Sequence, residues 1–219
     1  VNNDLELEFR YTWSSSDEFG FVRKAELLNL GGRARSIEIL DGLQNVLPAG
    51  TPRFTQTNSS NLVDAYKWSE LDAPSGLAMF TLYSGITDRA EPCESLKANV
   101  VYCLGLENPV ILLSSNQVDS FRRGQAVTTE GHKRGIRGSY FVNQVVDVPP
   151  ESSAGWTLVA NIELSQADVV ALRNRLRSPA ELERAVDVSI DKGSDALAKI
   201  MAMCDGFQET AEENVSVHH

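Results

Sequence analysis

The side chains that most often do chemistry in enzymes are sparse in this chain. His132 is the only histidine before the C-terminal pair His218 and His219, and the three cysteines stand without CxxC spacing: Cys93, Cys103 and Cys204. A single histidine without Cys or His companions is more typical of a surface or hydrogen-bonded residue than of a metal ligand or general base. The sequence therefore predicts no metal site, no cofactor, no catalytic residue and three free, mostly buried thiols.

The carboxylates are plentiful but identify no catalytic pair. The 219 residues hold 30 Asp and Glu against 20 Lys and Arg, a formal net charge of −10. Glycoside hydrolysis uses two carboxylates that flank the scissile bond, but spacing along the chain does not show which carboxylates meet in space. The acidic balance argues against a nucleic-acid binder and against docking on an anionic membrane. The longest apolar stretch, residues 98–113, is interrupted at Glu107 and Pro109, so no membrane span is predicted.

Exposed aromatic side chains are a second source of chemistry, because sugar rings stack on them while hydroxyls hydrogen-bond to polar neighbours. Tyr66 and Trp68 share one face of a predicted strand and are candidates for such contacts. Packing inside the core is the alternative for both. Trp13 is also aromatic, but it continues the apolar face of the first predicted strand, so we expect it in the core.

Alternating and continuous apolar runs predict the elements that must position these residues. Leu5, Leu7, Phe9, Tyr11 and Trp13 alternate with polar residues, as in a half-buried antiparallel strand. Gly31-Gly32 lies between two β-compatible runs and predicts a hairpin. Further predicted strands span 62–68, 77–83, 98–104, 110–113, 139–148 and 156–164. The predicted fold is mainly β, a large antiparallel two-sheet β-sandwich over residues 1–164.

The pattern changes from strands to helices after Leu164. Residues 165–168 have the spacing of a capping box, with Ser165 at the cap and Asp168 three residues on. Ser178-Pro179 predicts the start of a second helix, and an apolar face over 197–204 predicts a third. Residues 165–219 are therefore predicted to be a segment of short linker helices and an acidic tail.

A short segment after the predicted hairpin resembles a known family. Residues 41–50 read DGLQNVLPAG and directly follow the strand that ends at Leu40. This DGLxNxLPxG pattern, with the order of elements around it, is similar to the N-terminal galactose-mutarotase-like β-super-sandwich of the cellobiose phosphorylases and related enzymes of glycoside hydrolase family 94. The resemblance implies a catalytic (α/α)6 barrel downstream in the same polypeptide. The family's catalytic acid lies in that barrel, so no catalytic residue is carried over.

The segment adds three candidates for carbohydrate or interdomain contact: Asp41, Asn45 and Arg53. Turn formation by the Asx side chains is the alternative for the first two. The chain starts with Val1 rather than Met, which indicates that it was processed or excised from a longer chain. Free cysteines slightly favour the cytoplasm.

We therefore expect a noncatalytic β-sandwich domain of a larger carbohydrate-active enzyme, a glycoside hydrolase or phosphorylase. It would support the barrel and contact an oligosaccharide, and it could form a homodimer. The alternatives are a stand-alone sugar-binding or aldose-epimerase-like protein and a structural or assembly module with an exposed apolar patch.

Overall fold

The computed structural model describes residues 1–86 and 96–203. Within these ranges the elements follow in this order: β1 (Leu7–Ser16), β2 (Gly20–Asn29), β3 (Arg35–Val46), α1 (Arg53–Asn58), α2 (Ser60–Tyr66), β4 (Lys67–Asp72), β5 (Leu77–Leu82), β6 (Lys97–Leu104), β7 (Val110–Leu112), α3 (Val118–Arg122), β8 (His132–Arg134), β9 (Gly138–Val148), β10 (Ser153–Ser165), α4 (Gln166–Arg175) and α5 (Pro179–Met203).

The strands form two antiparallel sheets, which confirms the predicted mainly β, two-sheet architecture. The large sheet has seven strands in the order β1-β2-β10-β6-β5-β4-β8, and the small sheet has three in the order β3-β9-β7. One face of the large sheet packs on the small sheet around fully buried side chains such as Phe80, Val101, Tyr140 and Val142. This inter-sheet layer is the core of the sandwich.

The two C-terminal helices cover the other face of the large sheet. The predicted capping box is present at the start of α4, where Asp168 N–H donates to Ser165 Oγ at 3.3 Å and Ser165 N–H donates to Asp168 Oδ2 at 3.0 Å. Leu172 of α4 and Leu182 and Val186 of α5 are buried in a second cluster with strand residues. The molecule therefore has three layers, in the order small sheet, large sheet and helices.

The predicted hairpin at Gly31-Gly32 is wrong. The strands on either side, β2 and β3, belong to different sheets, because β2 pairs with β1 and β10 while β3 pairs with β9. Asn29 fixes this crossing, since its side-chain amide donates to the carbonyl oxygens of Arg33, Val148 and Pro149 at 2.7, 3.1 and 3.0 Å. The segment carries the chain from one layer to the other.

The predicted strand at 62–68 is also wrong over most of its length. Residues up to Tyr66 form helix α2, which buries Val63, and β4 begins only at Lys67. Periodicity does not distinguish a helix from a strand in so short an apolar run. Tyr66 and Trp68 therefore do not share a strand face.

The first strand is present, but its aromatic residues are not in the core, so the prediction for Trp13 is wrong. Leu7 is buried, whereas Phe9, Tyr11 and Trp13 are 44%, 58% and 50% exposed. Three strands span about 10 Å and seven span about 29 Å at the usual spacing between strands. The small sheet therefore cannot cover the whole large sheet. Strand β1 is the edge strand of the large sheet, and its aromatic side chains stay partly exposed.

Helix α5 is one continuous helix of 25 residues, so the predicted separate helix over 197–204 is wrong. The predicted acidic tail and residue Cys204 lie outside the described residues. No helix in the described ranges is long and apolar enough to cross a membrane.

Candidate functional site

The surface that best combines aromatic and polar side chains lies where the helices stop covering the large sheet. Trp68 and Glu70 are two residues apart on β4 and therefore point to the same face. Their neighbours on β8 are Arg134 and His132, with Trp68 paired to Arg134 and Glu70 paired to His132. Strand pairing thus assembles a set of side chains from distant parts of the sequence.

Trp68 is the centre of an aromatic and cationic stack. The Arg134 guanidinium carbon lies 3.6 Å from the centroid of the Trp68 ring, a cation–π contact. Tyr83 lies beside the same ring, with centroids 6.3 Å apart and the planes inclined by only 16°. Tyr83 is 76% exposed whereas Trp68 is half-buried, so Tyr83 is the ring of this pair that is more open to solvent.

His132 completes this stack. Its ring centroid lies 5.1 Å from that of Trp68, and its Nε2 accepts a hydrogen bond from Arg134 Nε at 3.1 Å. The histidine is exposed, in agreement with the prediction of a surface, hydrogen-bonded residue. Its position opposite Glu70 places an imidazole and a carboxylate on adjacent strands.

A groove of about 330 Å³ runs across β4 and β5 to α4, and it begins beside this stack at Glu70 and Thr81, the strand neighbours of Trp68. We call it the β4–β5 groove. Its apolar lining includes Leu77, Met79, Ala98, Leu164 and Val169, and its polar lining includes Glu70, Asp72, Thr81 and Arg173. A concave site with apolar walls and a few directional polar groups is typical of small-ligand sites.

The carboxylates of the groove are arranged for binding rather than for paired acid–base chemistry. Asp72 lies 4.0 Å from Arg173 and accepts a hydrogen bond from Ser75 Oγ at 2.5 Å. Glu70 and Asp72 project from the same face of one strand, so they lie on one side of a ligand. In glycosidases the two carboxylates flank the scissile bond. The pair in this groove can accept hydrogen bonds from ligand hydroxyls.

Among the five candidates from the sequence, Trp68 is the one that adjoins the groove. Tyr66 touches the stack through its backbone, since its carbonyl oxygen accepts from Tyr83 N–H at 2.7 Å. Arg53 is exposed at the start of α1, and Asn45 lines a separate shallow pocket near Lys67 and Arg137. No hydrogen bond, ion pair or ring contact within the described ranges joins any two of the five.

Asp41 is part of the sandwich rather than of a turn or an open site. Its carboxylate accepts from Arg23 Nη1 at 2.8 and 3.0 Å and from Trp156 Nε1 at 2.7 Å. The Arg23 and Asp41 side chains are only 9% and 16% exposed. An aromatic ring from β1 lies over this ion pair, with the Arg23 guanidinium 4.9 Å from the Tyr11 centroid. Asp41 therefore joins the small sheet to the large sheet.

The other residues of the DGLxNxLPxG segment also have structural roles. Gly42 lies where β3 approaches β9 so closely that an added Cβ would collide with the backbone oxygen of Tyr140. Asn45 takes the left-handed conformation, with φ of 56°, at the register shift between Gln44 and Val46. Asn adopts that conformation more readily than most residues, and here it serves a strand irregularity within β3 rather than the Asx turn expected from the sequence.

Tyr83, Arg134, Glu70 and Arg173 were not predicted as site residues. They join Trp68 only through pairing of β4 with β5 and β8 and through the position of α4, and neither the periodicity nor the motifs of the sequence encode those contacts.

The described residues contain one free thiol and no cluster of metal-ligating side chains. Cys103 is a free thiol, and burial in the sandwich raises its pKa, which keeps it protonated at neutral pH. Cys93 lies outside the described residues, as does Cys204. In residues 1–86 and 96–203 no group of three or more His, Cys, Asp or Glu side chains could hold a metal ion.

No family model matches the chain, and no curated protein matches it.

Proposed function

We propose that this chain is a noncatalytic β-sandwich domain of a larger carbohydrate-active enzyme, and that the β4–β5 groove contacts carbohydrate. The observation that carries the proposal is the exposed Tyr83 ring, next to the half-buried Trp68, beside a groove with Glu70, Asp72 and Arg173. Aromatic rings bind the apolar faces of sugars, and charged groups at the rim bind hydroxyls.

The parent enzyme would be a glycoside hydrolase or phosphorylase whose catalytic (α/α)6 barrel belongs to the same polypeptide. The similarity of residues 41–50 to the family 94 sandwich supports this part of the proposal. Glu70 and Asp72, on one side of the groove, suit substrate contact better than bond cleavage. We therefore expect the 219-residue chain to bind oligosaccharide without turning it over.

Calorimetric titration with cellotetraose and maltotetraose tests this function. Tyr83→Ala removes the most exposed ring of the stack, and we expect it to weaken binding about two- to tenfold, since loss of an aromatic contact costs about 0.5–1.5 kcal/mol. Tyr11→Ala is the matched control, because Tyr11 is also exposed but lies on the opposite edge of the large sheet. Hydrolysis or phosphorolysis of these sugars by the chain alone, or equal binding by both variants, would contradict the proposal.

A second function, interconversion of sugar anomers, is favoured by one observation. His132 pairs with Glu70 across neighbouring strands, and mutarotation needs a general acid and a general base. Polarimetry of freshly dissolved α-glucose and α-galactose measures this activity. An acceleration by the native chain that is lost in both His132→Ala and Glu70→Gln would establish it in place of the noncatalytic function.

A further inference from the structure

Strand β1 is an open edge of the large sheet, and the direction of its backbone groups follows from the bonds at its start. Leu30 N–H donates to the Glu6 carbonyl at 2.7 Å, whereas Leu7 exchanges both of its backbone hydrogen bonds with Asn2 on the outer side. In an antiparallel ladder the backbone N–H and C=O groups of successive residues point to alternate sides. The backbone groups of the even-numbered residues of β1 therefore bond to β2, and those of the odd-numbered residues point away from the sheet. The outward groups of Phe9, Tyr11 and Trp13 have no hydrogen-bond partner within the described ranges.

The two edges of the large sheet differ in how they are protected. The β8 edge is three residues long and consists of His132, Lys133 and Arg134, which suits an edge that avoids further pairing. The β1 edge is ten residues long, contains no proline and carries the aromatic stripe Phe9, Tyr11 and Trp13. These three rings stay about half exposed. An edge of this kind is suited to pairing with another strand.

Helix α5 also extends beyond this edge. Along the helix, Asp187 contacts Lys24 of β2 at 2.7 Å, and Ser189 hydrogen-bonds Ser16 of β1 at 2.7 Å. A Cβ on Gly193 would lie 3.7 Å from the Ser15 carbonyl oxygen. The contacts thus move from β2 to β1 as the helix proceeds, and residues 194–203 continue past the edge. Ten helical residues span about 15 Å, the width of about three strands.

The part of α5 that extends past β1 keeps an apolar face. Leu197 and Met201 follow the sheet-facing positions Val186 and Ile190 at helical spacing, yet they are 58% and 47% exposed. The described strands end at β1, so these side chains lie over no strand. The helix and the strand edge therefore present one continuous surface for additional strands.

We propose that β1 pairs with β1 of a second copy of this chain, antiparallel and about a two-fold axis at Tyr11. This register places each Tyr11 opposite the other, and each Phe9 opposite Trp13 of the second copy. All three are outward-pointing positions, so the pairing satisfies the free backbone groups and aligns the aromatic stripes. The two large sheets would then form one continuous sheet.

Charge is compatible with this register and with a second copy as the occupant. With the axis at Tyr11, Arg10 faces Thr12 of the second copy and Glu8 faces Ser14, so no like charges are opposed. An axis at Arg10 would set the two Arg10 side chains against each other. Glu8 and Arg10 already neutralise each other within one chain, at 2.7 Å, so the edge is locally neutral although the chain carries a net charge of −10.

The helices also fit a two-fold arrangement. The pairing spans Phe9–Trp13, because Asn2 already occupies the outer side of Leu7. Helix α5 crosses β1 near Ser15, four residues from the axis at Tyr11. The extended end of each α5 would therefore lie over the opposite end of the neighbouring β1–β2 pair, well separated from the other α5. Each copy gives and receives the same contact, as an isologous dimer interface requires.

Light scattering after size-exclusion chromatography tests the proposal without any sugar, so its outcome is independent of the proposed function. We expect a mass twice the 24.0 kDa of one chain. Tyr11→Lys would set two lysines opposite each other and should weaken dimerisation at least tenfold. The matched control Tyr83→Lys changes an exposed tyrosine near the other edge and should leave the dimer intact. A monomeric native chain, or a Tyr11→Lys variant that remains dimeric, would overturn the proposal.

A cysteine variant gives a second measurement, which traps the proposed dimer instead of disrupting it. In the proposed register Tyr11 forms a hydrogen-bonded pair with itself, with Cα atoms about 5.5 Å apart, a separation that a disulfide can bridge. Oxidised Tyr11→Cys should therefore run as a covalent dimer on a non-reducing gel, while Tyr83→Cys should not. Equal cross-linking of the two variants would contradict the register.

Discussion

The ion pair between Arg23 and Asp41 gives the sharpest prediction for stability. Asp41 receives three hydrogen bonds, two from Arg23 and one from Trp156, at a site where both charged side chains are mostly buried. Replacing Asp41 with Ala leaves the Arg23 charge buried without a partner and the indole N–H of Trp156 without an acceptor. Breaking a buried pair in this way costs about 3–5 kcal/mol of unfolding free energy.

Urea unfolding followed by tryptophan fluorescence measures this loss. Thermal unfolding gives a second measure. For a chain of this length, 1 kcal/mol of unfolding free energy corresponds to about 2–4 °C in Tm, so we expect the Tm of Asp41→Ala to be about 6–20 °C lower. The double variant Arg23→Met/Asp41→Ala has no unpaired charge and should be more stable than Asp41→Ala alone. A loss below about 1 kcal/mol, or a double variant whose loss is the sum of the two single losses, would refute the role of Asp41 in joining the sheets.

Three further predictions concern single residues. Gly42→Ala should abolish or severely reduce folding, measured by circular dichroism, because its Cβ would collide with the Tyr140 backbone; Gly32→Ala, where a Cβ meets nothing within 4 Å, is the control. Asn45→Gly should keep the fold and leave Tm nearly unchanged, because glycine also adopts φ of 56°, whereas a large loss would contradict its backbone role. Burial raises the Glu130 pKa, but hydrogen bonds from Gln117, Lys133, Ser114 and the Leu113 N–H together hold it below 4.5. Stability from Glu130 is therefore present above pH 4.5 and lost as the pH falls through the lowered pKa, so Glu130→Gln should flatten the acid limb of unfolding free energy against pH; an unchanged limb would contradict this.

Local patterns predicted several of the strands and the start of α4. Strands β6, β9 and β10 lie where the apolar runs placed them, and the capping box at Ser165 starts α4. These signals are local, because a strand face or a helix cap is encoded within a few residues. The two-sheet architecture followed from the number and spacing of such runs.

Partner choice between strands could not be predicted in the same way. Gly31-Gly32 has the sequence of a hairpin turn, but the long-range pairing of β3 with β9 takes the chain to the other sheet. Trp13 alternates like a core residue, but β1 lies at an edge that is covered at Leu7 and left exposed at Trp13. The first error arises because the pairing partner of a strand is set by a distant part of the chain. The second arises because burial of a strand face depends on the neighbouring layer, which the strand's own sequence does not specify.

The candidate site shows the same difference between local signals, which the sequence contains, and long-range contacts, which it does not. Trp68 could be singled out by its aromatic side chain, but its contacts with Arg134 and Tyr83 depend on the pairing of β4 with β8 and β5. Asp41 stood out in a motif, and its role became clear only from its contacts with Arg23 and Trp156 in the other sheet. A motif therefore located important residues here without distinguishing a binding role from a structural one.

The indole N–H resonances of the three tryptophans test the central claim most directly. Trp68 lies in the stack beside the groove, Trp13 lies on the opposite edge, and the N–H of Trp156 is bonded to Asp41. In a ¹⁵N-correlated NMR titration with cellotetraose and maltotetraose, carbohydrate contact at the β4–β5 groove predicts a saturable shift of the Trp68 resonance while those of Trp13 and Trp156 stay in place. A titration that shifts only Trp13, or that shifts none of the three, would contradict it.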